Sequence, residues 1–133
     1  MKRLTSIVFG VIILGLAFNV FMKSRPEADV TESYQSYLDD KAIFIDVREE
    51  SEVKEGIIKG AIWIPLSKIN ENKEIAVSQI KEMGQGKQIF IYCKSGNRAG
   101  KVKTILGKAG VEALNLGGYS TLKSKKLPTQ NLN

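Results

Sequence analysis

Gln88-Ile-Phe-Ile-Tyr-Cys93-Lys-Ser-Gly-Asn-Arg98-Ala-Gly-Lys-Val102 decides the fold: an apolar run ends on the only cysteine and breaks into a small, basic loop. Gln88 to Tyr92 is short, apolar after its first residue and rich in β-formers, which predicts a buried strand; Val102, Ile105, Leu106 and Ala109 then recur at helical spacing. Cys93 therefore stands at a strand-to-helix turn. In an open α/β sheet, ligands bind outside the carboxyl ends of the strands, where the helices begin. Ser95 and Gly96 allow a tight curl in which successive N–H groups form an anion-binding hollow, reinforced by the helix dipole. A cysteine sulfur held there is a ready nucleophile.

Outward from this stretch, the chain alternates strand and helix patterns. Thr31 to Leu38 reads as a short helix with Thr31 as N-cap and with Tyr34, Tyr37 and Leu38 on one face. Ala42 to Val47 is a nearly continuous apolar run, as expected for a parallel strand covered on both faces. Arg48 to Lys54 reads as a short acidic helix ended by Gly56, and Ala61 to Ile64 as a short strand stopped by Pro65, with Trp63 a core residue. A helical turn starts at Ser67, and Ile75 to Met83 has the spacing of a longer helix, with Ile75, Ile80 and Met83 apolar. Gly110 closes the helix after Cys93. Glu112 to Leu116 is the last strand, and Gly117-Gly118 turns the chain into a final segment with Tyr119 and Leu122. This alternation predicts an α/β fold: a mostly parallel central sheet with helices on both faces.

The composition narrows the chemistry. With 133 residues the chain holds one small domain, and 43% hydrophobic with 26% charged residues is a globular balance. There is no histidine, so neither a Cys-His nor a Ser-His-Asp arrangement can be built, and a cysteine–histidine zinc site is excluded. Cys93 has only backbone dipoles and cations to activate it. No metal or other cofactor is expected.

Net charge is +6, and its distribution is uneven: residues 87–133 carry nine basic side chains against one acidic, whereas residues 27–86 carry seven against thirteen. Lys94, Arg98, Lys101 and Lys103 place a positive field near the loop that favours a small anionic substrate. Lys123, Lys125 and Lys126 read as a solvated face. No aromatic residues interleave with the lysines and no nucleic-acid motif is present, so no nucleic-acid partner is expected.

At the amino end, Leu4 to Met22 forms an apolar run of nineteen residues after Lys2 and Arg3. A bilayer span needs about 20 residues. Residues 1–25 therefore read as a transmembrane anchor or a signal segment, 26–32 as a linker, 33–128 as the domain and 129–133 as a C-terminal tail. No good small-residue cleavage site follows the run, which favours the anchor. Lys2 and Arg3 favour a cytoplasmic amino terminus while Lys23 and Arg25 oppose it; on balance the domain is expected outside the cytoplasm, on the periplasmic or extracellular face, with secretion after cleavage as the alternative.

Cys93-Lys-Ser-Gly-Asn-Arg98 resembles the active-site loop of rhodanese-type sulfurtransferases, and three more segments match that family in order. Ile45-Asp46-Val47-Arg48-Glu49 is similar to its early Asp-x-Arg strand, Glu55-Gly56-Ile57-Ile58-Lys59-Gly60-Ala61 to its Glu-Gly-His-Ile-x-Gly-Ala turn, and Leu116-Gly117-Gly118-Tyr119 with Leu127-Pro128 to its closing segment. Two positions depart: Ile57 stands where the family usually has histidine, and Leu122 where tryptophan is common. The resemblance implies the rhodanese-like three-layer fold and thiosulfate sulfurtransferase activity. Cys93 would then attack the outer sulfur of an anionic donor such as thiosulfate and hold a persulfide for cyanide, a thiol or a protein acceptor.

In that reading Lys94, Ser95, Gly96, Asn97 and Arg98 form the substrate and persulfide loop, and Asp46 and Arg48 support it. Asp46 either accepts hydrogen bonds from the loop or from Arg98, or caps the next helix. For Arg48 the alternative to that supporting role is a pair with Glu52 four residues on, a surface contact of little consequence. Arg98 either attracts the donor or braces the loop through an ion pair, with Asp46 a candidate partner. A free cysteine is more often a small buried hydrophobe, but Cys93 stands at the end of its apolar run rather than inside it. The alternative function is a noncatalytic persulfide carrier or protein-binding module. Cysteine phosphatases use a longer loop between cysteine and arginine, and arsenate reductase chemistry within one chain needs a second cysteine. The activity requires that the loop amides face a sulfur that is not sealed in the core.

Overall fold

The computed structural model describes residues 26–132. The apolar run from Leu4 to Met22, and with it the choice between anchor and signal, lies outside the described residues. Among those described, no helix is long and apolar enough to cross a membrane.

Four parallel strands form the central sheet in the order β3-β1-β4-β5: β1 (Ala42–Asp46), β3 (Ile62–Trp63), β4 (Gln88–Cys93) and β5 (Leu114–Gly118). Strand β1 pairs with β4 in unbroken register from Ala42 opposite Gln88 to Asp46 opposite Tyr92. Side chains alternate across these two inner strands, and each face meets helices. On one face Ile43, Ile45, Ile89, Ile91 and Cys93 pack with residues of α3 (Leu66–Glu71), α4 (Lys73–Met83) and α5 (Asn97–Lys108). On the other, Phe44, Phe90 and Tyr92 pack with residues of α1 (Val30–Leu38) and α6 (Tyr119–Ser124). The molecule is the three-layer α/β fold expected from the alternating pattern. A four-residue helix, α2 (Glu50–Val53), follows β1.

Several boundaries move for local reasons. Helix α1 begins at Val30, because Asp29 rather than Thr31 is its N-cap: Asp29 Oδ1 accepts the Glu32 N–H at 2.9 Å. The linker read over 26–32 therefore already contains the first turn of the domain. Leu38 lies outside the buried face of α1 at 60% exposure, while Val30 and Tyr34 are buried. In α4 the buried positions are Ala76 and Ile80, four apart; Ile75 is one residue off that row and is 55% exposed. Residues Ile57–Ile58 (β2) and Thr129–Gln130 (β6) pair antiparallel in a second, two-stranded sheet, so the segment read as a tail from residue 129 starts with a strand.

The end of β4 is shaped by its neighbour. Ile91 lies opposite Asn115 but Cys93 lies opposite Gly118, so β5 carries one extra residue there. Gly117 absorbs the irregularity with φ +85°. This bulge brings Gly118 beside the first residues of the loop.

Candidate active site

Cys93 closes β4 with its side chain turned toward α5, and Gly96, Asn97 and Arg98 begin that helix. Its Sγ accepts the Gly96 N–H at 3.0 Å and the Ala99 N–H at 3.5 Å. The first N–H groups of a helix have no partner within it, and two of them are spent on this sulfur. The amides thus face Cys93 as the sequence requires. The sulfur is also covered: Cys93 has 0% exposure and belongs to the apolar cluster with Val47, Ala99 and Val102. Being at the end of its run does not leave it open, because the loop folds back over it. Lys94, Ser95 and Asn97 are exposed, Gly96 is buried, and Arg98 is partly buried.

Backbone contacts set the loop's shape. A Cβ on Gly118 would lie 2.3 Å from the Lys94 carbonyl oxygen, so only glycine lets the loop pass. Gly96 adopts φ +92°, the left-handed region that glycine enters without strain. Behind it stands Asn115, a buried polar residue whose Nδ2 donates to the Gly96 carbonyl at 2.8 Å and whose Oδ1 accepts the Gly117 N–H at 2.8 Å.

The charged residues pair differently from expectation. Arg98 is held by Glu52, not Asp46: its two Nη atoms meet the two carboxylate oxygens, with Nη2–Oε2 at 2.7 Å. The Arg98 guanidinium holds the Glu52 carboxyl down at about 2, and the hydrogen bonds to Glu52 in turn raise the pKa of Arg98. Asp46, completely buried, makes its side-chain bonds to Arg48: Nη2 donates to Oδ2 at 2.7 Å, Nε to both oxygens, and the Arg48 backbone N–H to Oδ1 at 2.9 Å. It neither receives Arg98 nor caps α2, whose N-cap is Glu49.

Arg48 is no surface partner of Glu52. It is 1% exposed and donates further to the Gly56 carbonyl at 2.7 Å and to Glu55 Oε1 at 3.0 Å, with its guanidinium 3.9 Å from the Tyr119 ring centre. Burial works against its charge, but the bonds and charge of Asp46 outweigh that and raise its pKa. The pair ties the end of β1 to the Gly56 turn and to α6. Ile57 and Leu122, the two departures from the family pattern, are both buried and apolar. Trp63 is only half-buried, and its indole N–H donates to the Arg48 carbonyl at 2.8 Å.

Glu52 and Asn115 are the site residues that sequence reasoning missed. Glu52 pairs with a residue 46 positions away, which leaves no local trace. Asn115 did leave one, a polar side chain between Leu114 and Leu116 in a predicted buried strand.

The fold is a parallel α/β sheet whose central strand ends on a cysteine, and the sulfur of that cysteine accepts two N–H groups from the start of the next helix. Residues 30–125 match the family described as Rhodanese-like domain, and the chain belongs to that family. An uncharacterised Bacillus subtilis protein, YqhL, is 34% identical over 79% of this chain and 79% of its own length. Thiosulfate sulfurtransferase 16 of Arabidopsis thaliana chloroplasts is 32% identical over 65% of this chain and 78% of its own. A Schizosaccharomyces pombe mitochondrial protein with a provisional thiosulfate sulfurtransferase name is 34% identical over 62% of this chain, and the match spans only 61% of that protein. Among solved structures, a Staphylococcus saprophyticus protein superposes with TM-score 0.58 at 32% identity, covering 74% of this chain and 94% of that one. An Escherichia coli rhodanese with anions gives TM-score 0.52 at 29% identity, covering 68% and 99%.

Proposed function

We propose that this chain is a sulfurtransferase that carries a sulfane sulfur on Cys93, from an anionic donor such as thiosulfate to cyanide, a thiol or a protein acceptor. The convergence of the Gly96 and Ala99 N–H groups on Sγ carries this reading. Those amides stabilise negative charge on sulfur without any imidazole, which this chain lacks. Relatives named as thiosulfate sulfurtransferases support the choice of donor.

The reaction has two displacements. The Cys93 thiolate attacks the outer sulfur of thiosulfate; the bond between the two donor sulfurs breaks, and its electron pair leaves with sulfite. The acceptor's nucleophile then attacks the outer sulfur of the persulfide, and the electron pair of that S–S bond returns to Cys93. The Gly96 and Ala99 N–H groups stabilise the Sγ thiolate that makes the first attack and is regenerated by the second, and the exposed Lys94 draws in the donor. Sγ has no exposed surface, unlike the open sulfur that the sequence reading requires, so attack on a donor needs the exposed loop residues Lys94, Ser95 and Asn97 to move aside. Asp46 and Arg48 act at a distance, by holding the end of β1. The apolar run from Leu4 to Met22 is the support for tethering the domain to a membrane, and Lys2 and Arg3 before it are the support for placing the domain outside the cytoplasm.

Two observations favour the second reading, a carrier or docking module without turnover: the sulfur has no exposed surface, and Arg98 is already engaged by Glu52. Mass spectrometry separates the outcomes. Thiosulfate-treated protein is expected to gain the mass of one sulfur atom at Cys93, and Cys93→Ser to gain none; an unmodified wild-type chain refutes the proposal. A persulfide that forms but is not discharged by cyanide or thiol selects the carrier.

A further inference from the structure

Asn115 makes no hydrogen bond to Cys93, yet it holds the backbone of Gly96, one of the two residues whose N–H groups meet the sulfur. Its Nδ2 donates to the Gly96 carbonyl, which also accepts the Gly100 N–H at 3.0 Å as α5 begins. A trans peptide is planar, so holding that carbonyl turns the Asn97 N–H of the same unit the opposite way. Gly96 needs such a restraint. At φ +92° a glycine has neighbouring conformations of similar energy, and the Gly96 N–H aimed at Sγ belongs to the same residue.

The carboxamide is itself fixed at both ends, because Oδ1 accepts the Gly117 N–H while Nδ2 donates to Gly96. Its backbone is held by Glu27. β5 is the outer strand of the sheet, and there the Glu27 N–H donates to the Asn115 carbonyl at 2.8 Å while Glu27 Oε2 accepts the Asn115 N–H at 2.8 Å. Glu27 Oε1 meets Lys103 of α5 at 2.7 Å, which ties the same clamp to the helix that starts at the loop.

We infer that Asn115 is a positioning residue for sulfur transfer: it fixes the Gly96–Asn97 peptide and so restrains the backbone angles of Gly96, whose own N–H meets the Cys93 sulfur, and Glu27 clamps Asn115 in place. This rests on reading Cys93 as a sulfur carrier.

Because Cys93 is the only cysteine, iodoacetamide alkylation of the full chain reports on this site alone. The ratio of the alkylation rate at about pH 7 to that at about pH 9.5 tracks how readily the thiolate forms, and it cancels changes in access. Asn115→Ala is expected to lower that ratio about fivefold, the effect of one net hydrogen bond. Glu27→Ala, which keeps the carboxamide and serves if the first variant does not fold, should lower it by a smaller factor. Removing an acid by itself favours the thiolate, so the Glu27→Ala decrease can come only from lost positioning. Folded variants with the wild-type ratio overturn the inference. A lowered ratio in a protein whose wild type takes no sulfur from thiosulfate supports the positioning of the thiolate and refutes the transfer reading instead.

Discussion

Arg98 and Glu52 meet as a two-pronged pair, each guanidinium Nη on its own carboxylate oxygen, linking the first turn of α5 to α2. The arginine best placed to receive an anionic donor thus already has an anion of the protein's own. The pair pins α5 where its amides meet the sulfur. It also leaves Lys94 as an exposed cation directly beside Cys93.

Glu52→Gln tests the pair through its pH dependence. The carboxyl is held at about 2 when folded, against an ordinary 4.5. Its contribution is therefore fully present above about pH 4.5 and fades as pH falls toward about 2, because the unfolded chain takes up the proton first. Thermal melts should show the variant less stable by ~1 kcal/mol near neutrality, converging on wild type at the acid end. A constant difference at every pH would contradict this.

Arg48→Met leaves the Asp46 carboxylate buried without its partner. Stranding one member of a buried ion pair costs about 3–5 kcal/mol, measurable by denaturant unfolding. Adding Asp46→Ala to that variant should restore part of the loss, since the pair is coupled and its two effects do not add. Additive losses would mean that the two side chains act independently.

Gly118→Ala sets a methyl group 2.3 Å from the Lys94 carbonyl oxygen, a collision between backbone parts with no flexible side chain to yield. The loop must move, and persulfide formation with thiosulfate should slow by at least about 10-fold, as a misplacement of order 1 Å does elsewhere. Gly107→Ala, in α5 with nothing within 4 Å, is the control and should leave the rate unchanged.

Lys94→Gln removes the exposed cation beside the sulfur without touching the amides. The KM for thiosulfate should rise several-fold at low ionic strength, and the difference should shrink as salt approaches ~1 M, where charges are screened within about 3 Å. A defect in kcat that ignores salt would assign Lys94 to the chemistry itself.

Much of the fold can be read from local pattern. A continuous apolar run such as Ile89 to Tyr92 has no way to satisfy its backbone and bury its side chains except between two strands and two helical layers. Helix α5 follows from the spacing of Val102 and Leu106. Single-residue offsets escaped, as with Ile75 against Ala76, because a helical face is chosen by what it packs on. The strand at Thr129–Gln130 escaped because two polar residues carry no pattern of their own and pair only when Ile57–Ile58 is brought to them.

The order of residues alone determined that a lone cysteine would close a buried strand just ahead of a helix, since hydrophobic run length, glycine placement and helical spacing are properties of neighbours along the chain. It also settled that no histidine could assist that cysteine. Only the tertiary structure decided which carboxylate each arginine takes, that Asn115 stands behind Gly96, and that the sulfur lies covered. Asp46, Glu52 and Glu55 are all near Arg48 in sequence, and their charges are alike. What separates them is burial and the geometry of two-pronged hydrogen bonds, and both arise only once the sheet and helices have packed.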